Sequence, residues 1–131
     1  MKILKTAALY IVPLISILIF GYYATLAGGG EAWATKHGIH AEIGQNYRLV
    51  NSVTLLGWVA TLALLVLRKP LTACLPAAFA TGYLVCDIVF YIPMARVAGE
   101  PFPFDQFVVA AIQAVWVLLL FRSASREAEL R

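Results

Sequence analysis

Four long apolar runs, separated by short polar breaks, dominate the chain. A helix needs about 20 predominantly apolar residues to cross the hydrocarbon core of a bilayer, and each run approaches or exceeds that length. The first covers about residues 3–27, with Lys2 and Lys5 at its start and Gly28, Gly29 and Gly30 at its end. A signal peptide has a shorter apolar region followed by a small-residue cleavage site. This run is longer and carries Tyr22 and Tyr23 near its far end, so it reads as a retained helix. Pro13 predicts a kink in its middle, which membrane helices tolerate when neighbours satisfy the freed carbonyl. The second run, about 46–67, stops at Arg68, Lys69 and Pro70. The third, about 71–95, has Pro76 near its start and Pro93 near its end, and both ends are expected to bend. The fourth, about 104–121, stops at Arg122, and a polar tail from Ser123 to Arg131 follows. The predicted fold is all-α: a bundle of four transmembrane helices forming one integral membrane domain over 1–131.

The connections refine this picture. The Arg68-Lys69-Pro70 turn is minimal, so the second and third helices must be antiparallel neighbours. The link from Arg96 to Pro103 is short and broken by Gly99, Pro101 and Pro103. Only the first link, Gly28 to Gln45, is long. Within it Glu31 to Ile43 forms either a plain loop or a short interfacial helix resting on Trp33, Ile39 and Ile43.

Composition excludes a water-soluble domain. Of 131 residues, 62% are hydrophobic and 13% charged, against about 45–50% and about 25% in a soluble domain. The net charge of +3 does not imply nucleic acid as a partner, because the basic residues sit at helix ends and form no patch interleaved with aromatics. Their distribution sets orientation instead. Lys2, Lys5, Arg68, Lys69, Arg122, Arg126 and Arg131 fall on one side, and Lys36, Arg48 and Arg96 on the other: seven of the ten basic residues against three. Both termini are therefore expected in the cytoplasm, in a multi-pass protein of the inner membrane if the source is prokaryotic.

Polar residues inside spans are expensive and tend to mark function or helix contacts. Asp87 is the one acidic residue deep within a span, roughly 12 Å below the outer interface at 1.5 Å per residue. Asn51 lies roughly 8 Å deep in the second helix, with Arg48 one turn above it. Gln113 sits in the outer half of the fourth helix, and Tyr22 and Tyr23 at the outer end of the first. Helical spacing places Tyr83, Asp87 and Tyr91 on one face. It likewise groups Arg48, Asn51, Ser52 and Leu55, then Gln106 with Gln113, then Ser16 with Tyr23. Lipid offers these groups no partners, so a bundle turns the faces inward. The expectation is a polar, aromatic-walled pocket in the outer half, above an inner half with little beyond Thr61 and Thr72. Asp87 is the candidate catalytic residue; Arg48, Asn51, Tyr83, Tyr91 and Gln113 are the candidate substrate-binding residues. A carboxyl at that depth needs a partner or a proton, and Arg48 is the candidate partner. The structural alternative is that the tyrosines anchor the interfaces and the amides join helices.

Other chemistry is sparse. His37, His40 and Glu42 follow an H-x-x-H-x-E spacing too short to assign a metal site. No His lies within a span, which argues against bis-histidine haem ligation inside the bundle. Gly28-Gly29-Gly30 is a flexible break and no phosphate loop. Cys74 and Cys86 are twelve residues apart on one helix, roughly 18 Å of rise, so they cannot form a disulfide with each other. They read as small buried hydrophobes. No metal or cofactor is assigned.

The length, the basic Arg68-Lys69-Pro70 turn and the N-Y-R-x-x-N stretch from Asn46 to Asn51 resemble the small DoxX-like four-helix membrane proteins. The resemblance covers nearly the whole chain. It implies a four-helix membrane fold and, for some members, an accessory role in membrane redox systems; no site residue follows from it.

Three functions are compatible with these features. One is a pocket that binds or converts a small apolar or lipid-like ligand, with Asp87 as the acid of an isomerase or cyclase. Another is a non-catalytic accessory subunit of a larger membrane redox or transport complex. A transporter is the third, and four helices without an internal repeat would require a homo-oligomer for it. The lipid bilayer is a partner in all three.

Overall fold

The computed structural model describes residues 2–26, 41–98 and 104–130, and the side chains of 7–24, 48–90 and 106–130 among them. Its elements are α1 (Lys2–Gly21), continued by a π-helical turn (Tyr22–Leu26), α2 (Ala41–Val66), α3 (Pro70–Ala98) and α4 (Phe104–Glu129). Each of the four helices is long and apolar enough to cross a membrane.

Two boundaries differ from expectation. α2 is already helical at Ala41, so Ala41 to Ile43 are continuous with the second span. The rest of the Glu31 to Ile43 segment, including Trp33, His37, Ile39 and His40, lies outside the described residues. At the other end of the chain α4 continues through the polar tail to Glu129. Ala, Arg and Glu favour helix there, and Arg126 in the last turn complements the helix dipole.

Proline does not break the helices. α1 runs through Pro13, whose ring is fully buried, and α3 runs through Pro76 and Pro93. Pro70 occupies the first position of α3, where its missing N–H leaves no bond unmade. The departure from α-helical geometry in the first span comes later, in the π-helical turn.

The turn between α2 and α3 is a Schellman motif. Lys69 N donates to Leu64 O at 2.8 Å and Arg68 N to Leu65 O at 3.0 Å, which satisfies the last carbonyls of α2. Arg68 holds the left-handed position with φ 61°, a slot usually filled by glycine.

Packing is inverted relative to a soluble protein. Large apolar side chains such as Leu56, Phe79, Phe90 and Leu118 point outward, whereas Ala73, Ala77, Ala80, Thr54, Thr61 and Thr81 are buried. Lipid tails are as apolar as leucine, so burying leucine gains little and small residues that permit close backbone approach are favoured inside. The tightest approach lies between α2 and α3. A Cβ built on Gly57 would lie 2.8 Å from Ala80 Cβ and 3.2 Å from the Pro76 carbonyl oxygen. The buried threonine hydroxyls are satisfied on their own helices: Thr54 donates to Val50 O, Thr61 to Gly57 O and Thr81 to Ala77 O.

The helices pack in sequence, α1 on α2, α2 on α3 and α3 on α4, while α1 and α4 touch only sparsely. Trp58 of α2 and Trp116 of α4 fill the centre, their rings 5.6 Å apart and tilted by 59°. Toward the termini, the Tyr10 hydroxyl reaches the Leu65 carbonyl at 3.4 Å. The opposite end of the bundle, where α1 ends and α4 begins, holds the candidate site.

Candidate functional site

The sparse contact between α1 and α4 leaves a cavity of about 470 Å³ at that end. Every helix contributes to its wall. α1 supplies Leu18, Ile19 and Phe20, and the π-helical turn supplies Tyr22 and Tyr23. Asn51 comes from α2, Leu84 and Asp87 from α3, and Gln106 and Val109 from α4. The π-helical turn is wider than an α-turn. It brings consecutive tyrosines to one cavity, with the two rings edge to face at 5.6 Å and 75°.

The wall polarity follows from the helix faces. The buried stripe of α3 runs through Ala73, Ala77, Ala80, Leu84 and Ile88. Asp87 lies beside Leu84 at the edge of this stripe, half-buried and facing the cavity. Asn51 is 4% exposed, on the inward face of α2 with Thr54 and Trp58. Gln106 opens α4 on the same face as Gln113, seven residues further into the helix.

The candidate residues divide into groups. Asp87 and Asn51 meet on the cavity wall. Arg48 is half-buried one turn before Asn51, but the expected pairing with Asp87 is not formed: Asp87 makes no hydrogen bond or ion pair among the described residues. Tyr83 shares a helical face with Asp87 yet is not on the wall. It packs on Phe79 at 5.8 Å, and Phe79 is an exposed residue. Asp87 lies on the cavity side of its helix face and Tyr83 on the lipid side. The backbone of Tyr91 belongs to α3, and its side chain lies outside the described residues. Gln113 does not line the cavity; it lies beneath, 1% exposed, and its amide donates to the Ser16 hydroxyl at 2.9 Å.

Gln106, Tyr22 and Tyr23 line the cavity, although the sequence pattern does not assign them to the site. Gln106 is marked in the sequence by its seven-residue spacing from Gln113. Both tyrosines are exposed at the edge of the cavity and sit on the π-helical turn, which no residue pattern announces.

A mostly apolar cavity with one unpartnered carboxyl and two amides suits a molecule with an apolar body and a polar head. A carboxyl there acts as a hydrogen-bond acceptor when ionised and as a donor or general acid when protonated. Among the described residues no three His, Cys, Asp or Glu side chains gather as metal ligands; the side chains of His37, His40 and Glu42 lie outside them. Cys74 is buried and its thiol donates to the Pro70 carbonyl, whereas Cys86 is exposed. No protein-family model, no curated protein and no solved structure matches the chain.

Proposed function

We propose that the protein binds a small apolar or lipid-like molecule in this cavity and uses Asp87 as its polar anchor or acid. The observation that carries the reading is the Asp87 carboxyl, which faces an apolar cavity without a partner among the described residues. Such a group is costly within a membrane span, and a ligand that hydrogen-bonds to it offsets the cost. Asn51 orients the head of the ligand, Gln106 lines the end of the cavity where α4 begins, and Tyr22 and Tyr23 close over it. If the ligand is converted, the simplest chemistry is isomerisation or cyclisation. Asp87 protonates the molecule at one carbon, and the resulting carboxylate takes a proton from another, so no cofactor is consumed.

In this reading the protein is a multi-pass membrane protein with both termini in the cytoplasm, and the cavity lies in the outer half of the bilayer. The distribution of Lys and Arg supports that orientation. The source of the ligand is the membrane itself, the inner membrane in a prokaryote.

The test is purification in mild detergent followed by organic extraction and mass spectrometry of wild type and Asp87→Asn at equal folded yield. A lipophilic compound retained by the wild type and lost from the variant supports the proposal. A stoichiometric protein partner with no retained compound replaces it with the accessory role that the DoxX-like resemblance implies.

A further inference from the structure

We infer that the cavity is entered sideways from the bilayer, between α1 and α4, by a single-chain amphiphile with a hydrogen-bond-donating head. This rests on the ligand-binding reading above and specifies the substrate class and its route. Three observations carry it.

Leu18 both lines the cavity and is 72% exposed, so the wall it belongs to is open to the outside. It lies nine residues before Ala27, where the first apolar run gives way to Gly28-Gly29-Gly30. At 1.5 Å per residue that is roughly 13 Å inside the run. The opening is therefore at hydrocarbon depth, and what lies outside it is lipid.

The lower edge of the opening is built. Gln113 of α4 donates to Ser16 of α1 at 2.9 Å, joining two helices that otherwise touch only sparsely. Above this bond the helices separate and the cavity fills the gap. Tyr22 and Tyr23 stand one turn above Leu18, where amphipathic rings suit the interface.

The polar groups are arranged for this route. Leu18 and Ile19 of α1 and Val109 of α4 line the cavity on the two helices that flank the gap, while Asn51 and Asp87 line it from α2 and α3. A molecule sliding in from the bilayer meets apolar side chains first and places its head against the carboxyl, with its chain trailing through the gap into lipid. The volume of about 470 Å³ falls in the range of about 300–1,000 Å³ typical of small-molecule sites. It accommodates a head and the first part of one chain. An alcohol or amine head matches the unpartnered carboxyl.

The experiment uses the full-length protein in phosphatidylcholine vesicles containing a long-chain alcohol with a diazirine near the hydroxyl. After brief illumination, labelled residues are identified by mass spectrometry. Leu84, 3% exposed on the cavity wall, reports entry, and Leu56, on the lipid-facing surface, reports ordinary lipid contact. Wild type is expected to label Leu84 above Leu56. Leu18→Trp narrows the opening and slows Leu84 labelling about tenfold, within the one to three decades over which association rates vary among variants of one site. Gln106→Trp narrows the end of the cavity and has a smaller effect. Leu18→Phe replaces Leu18→Trp if the larger ring lowers folded yield. If Gln106→Trp slows labelling as much as Leu18→Trp or more, entry is from the end of the bundle; side entry is then overturned and ligand binding stands. If Leu84 is labelled no more than Leu56, both fall.

Discussion

Gln113 on the last helix donates a 2.9 Å hydrogen bond to Ser16 on the first, and both side chains are buried. The amide oxygen of Gln113 has no partner among the described residues, so this bond carries what polar satisfaction the side chain has. Ser16→Ala leaves the whole amide unpaired and is expected to lower stability by about 1 kcal/mol. Ser16→Ala combined with Gln113→Leu recovers most of that loss, because replacing both partners by apolar groups removes the unsatisfied ones. Unfolding by sodium dodecyl sulfate in mixed micelles measures both.

Gly57 is a second structural point. Its missing Cβ would stand 2.8 Å from Ala80 Cβ, and neither that atom nor the neighbouring Pro76 carbonyl can swing away. Gly57→Ala forces α2 and α3 apart and costs roughly 1–3 kcal/mol. Gly82, on α3, differs: no atom lies within 4 Å of the place its Cβ would take. Gly82→Ala is expected to be neutral or to stabilise by up to about 1 kcal/mol. Comparing the two unfolding midpoints separates packing from helix propensity.

Arg68 occupies a left-handed backbone position at φ 61°. For a residue with a Cβ this conformation costs about 1–2 kcal/mol. Arg68→Gly keeps both Schellman hydrogen bonds and is expected to stabilise the protein by about 1 kcal/mol. Arg68→Val, branched at Cβ, destabilises it. Thermal unfolding in detergent gives the sign of each change.

Trp58 is fully buried, and its indole N–H finds no partner among the described residues. Removing that N–H relieves an unsatisfied donor worth about 1–3 kcal/mol, which offsets the smaller ring of phenylalanine. Trp58→Phe should therefore change stability by less than about 1 kcal/mol, while Trp58→Ala loses roughly 3–5 kcal/mol. A large loss in Trp58→Phe would show that the N–H is satisfied in the membrane.

Asp87 contributes no bond to the fold among the described residues. Asp87→Leu is expected to raise stability by about 1 kcal/mol or more, because an acidic side chain in a span is unfavourable. The same variant should lose the bound ligand. Stability gained with function lost identifies a residue kept for its chemistry; lost folded yield would indicate a structural pairing.

The four helices were legible because bilayer thickness imposes a length on each apolar run, and proline and basic residues mark their ends. The concentration of polar groups at one end was legible for the same reason: the positions of Asn51 and Asp87 along their helices set their depths. Rotation about the helix axis was only half legible. Spacing shows that Tyr83 and Asp87 share a face, but not that Ala80 and Leu84 mark its centre and leave Tyr83 at the edge. That Asp87 has no partner among the described residues was not legible at all. Arg48 has the right depth, but equal depth does not establish contact when side-chain direction depends on packing. The continuation of α4 to Glu129 was hidden because polarity at the end of a span says where the membrane stops, not where the helix stops.

The π-helical turn at Tyr22–Leu26 makes the aromatic edge of the cavity depend on chain length more than on side-chain identity. A π-turn holds one residue more than an α-turn. Deleting a single residue there restores regular helix, and because the bulge is what absorbs the extra residue, the positions that move are those within the turn itself. Tyrosines preserved in type would then be lost in place. Divergence at this position proceeds most sharply by insertion and deletion, and two chains identical in every other span could differ in what they hold because one carries an extra residue here.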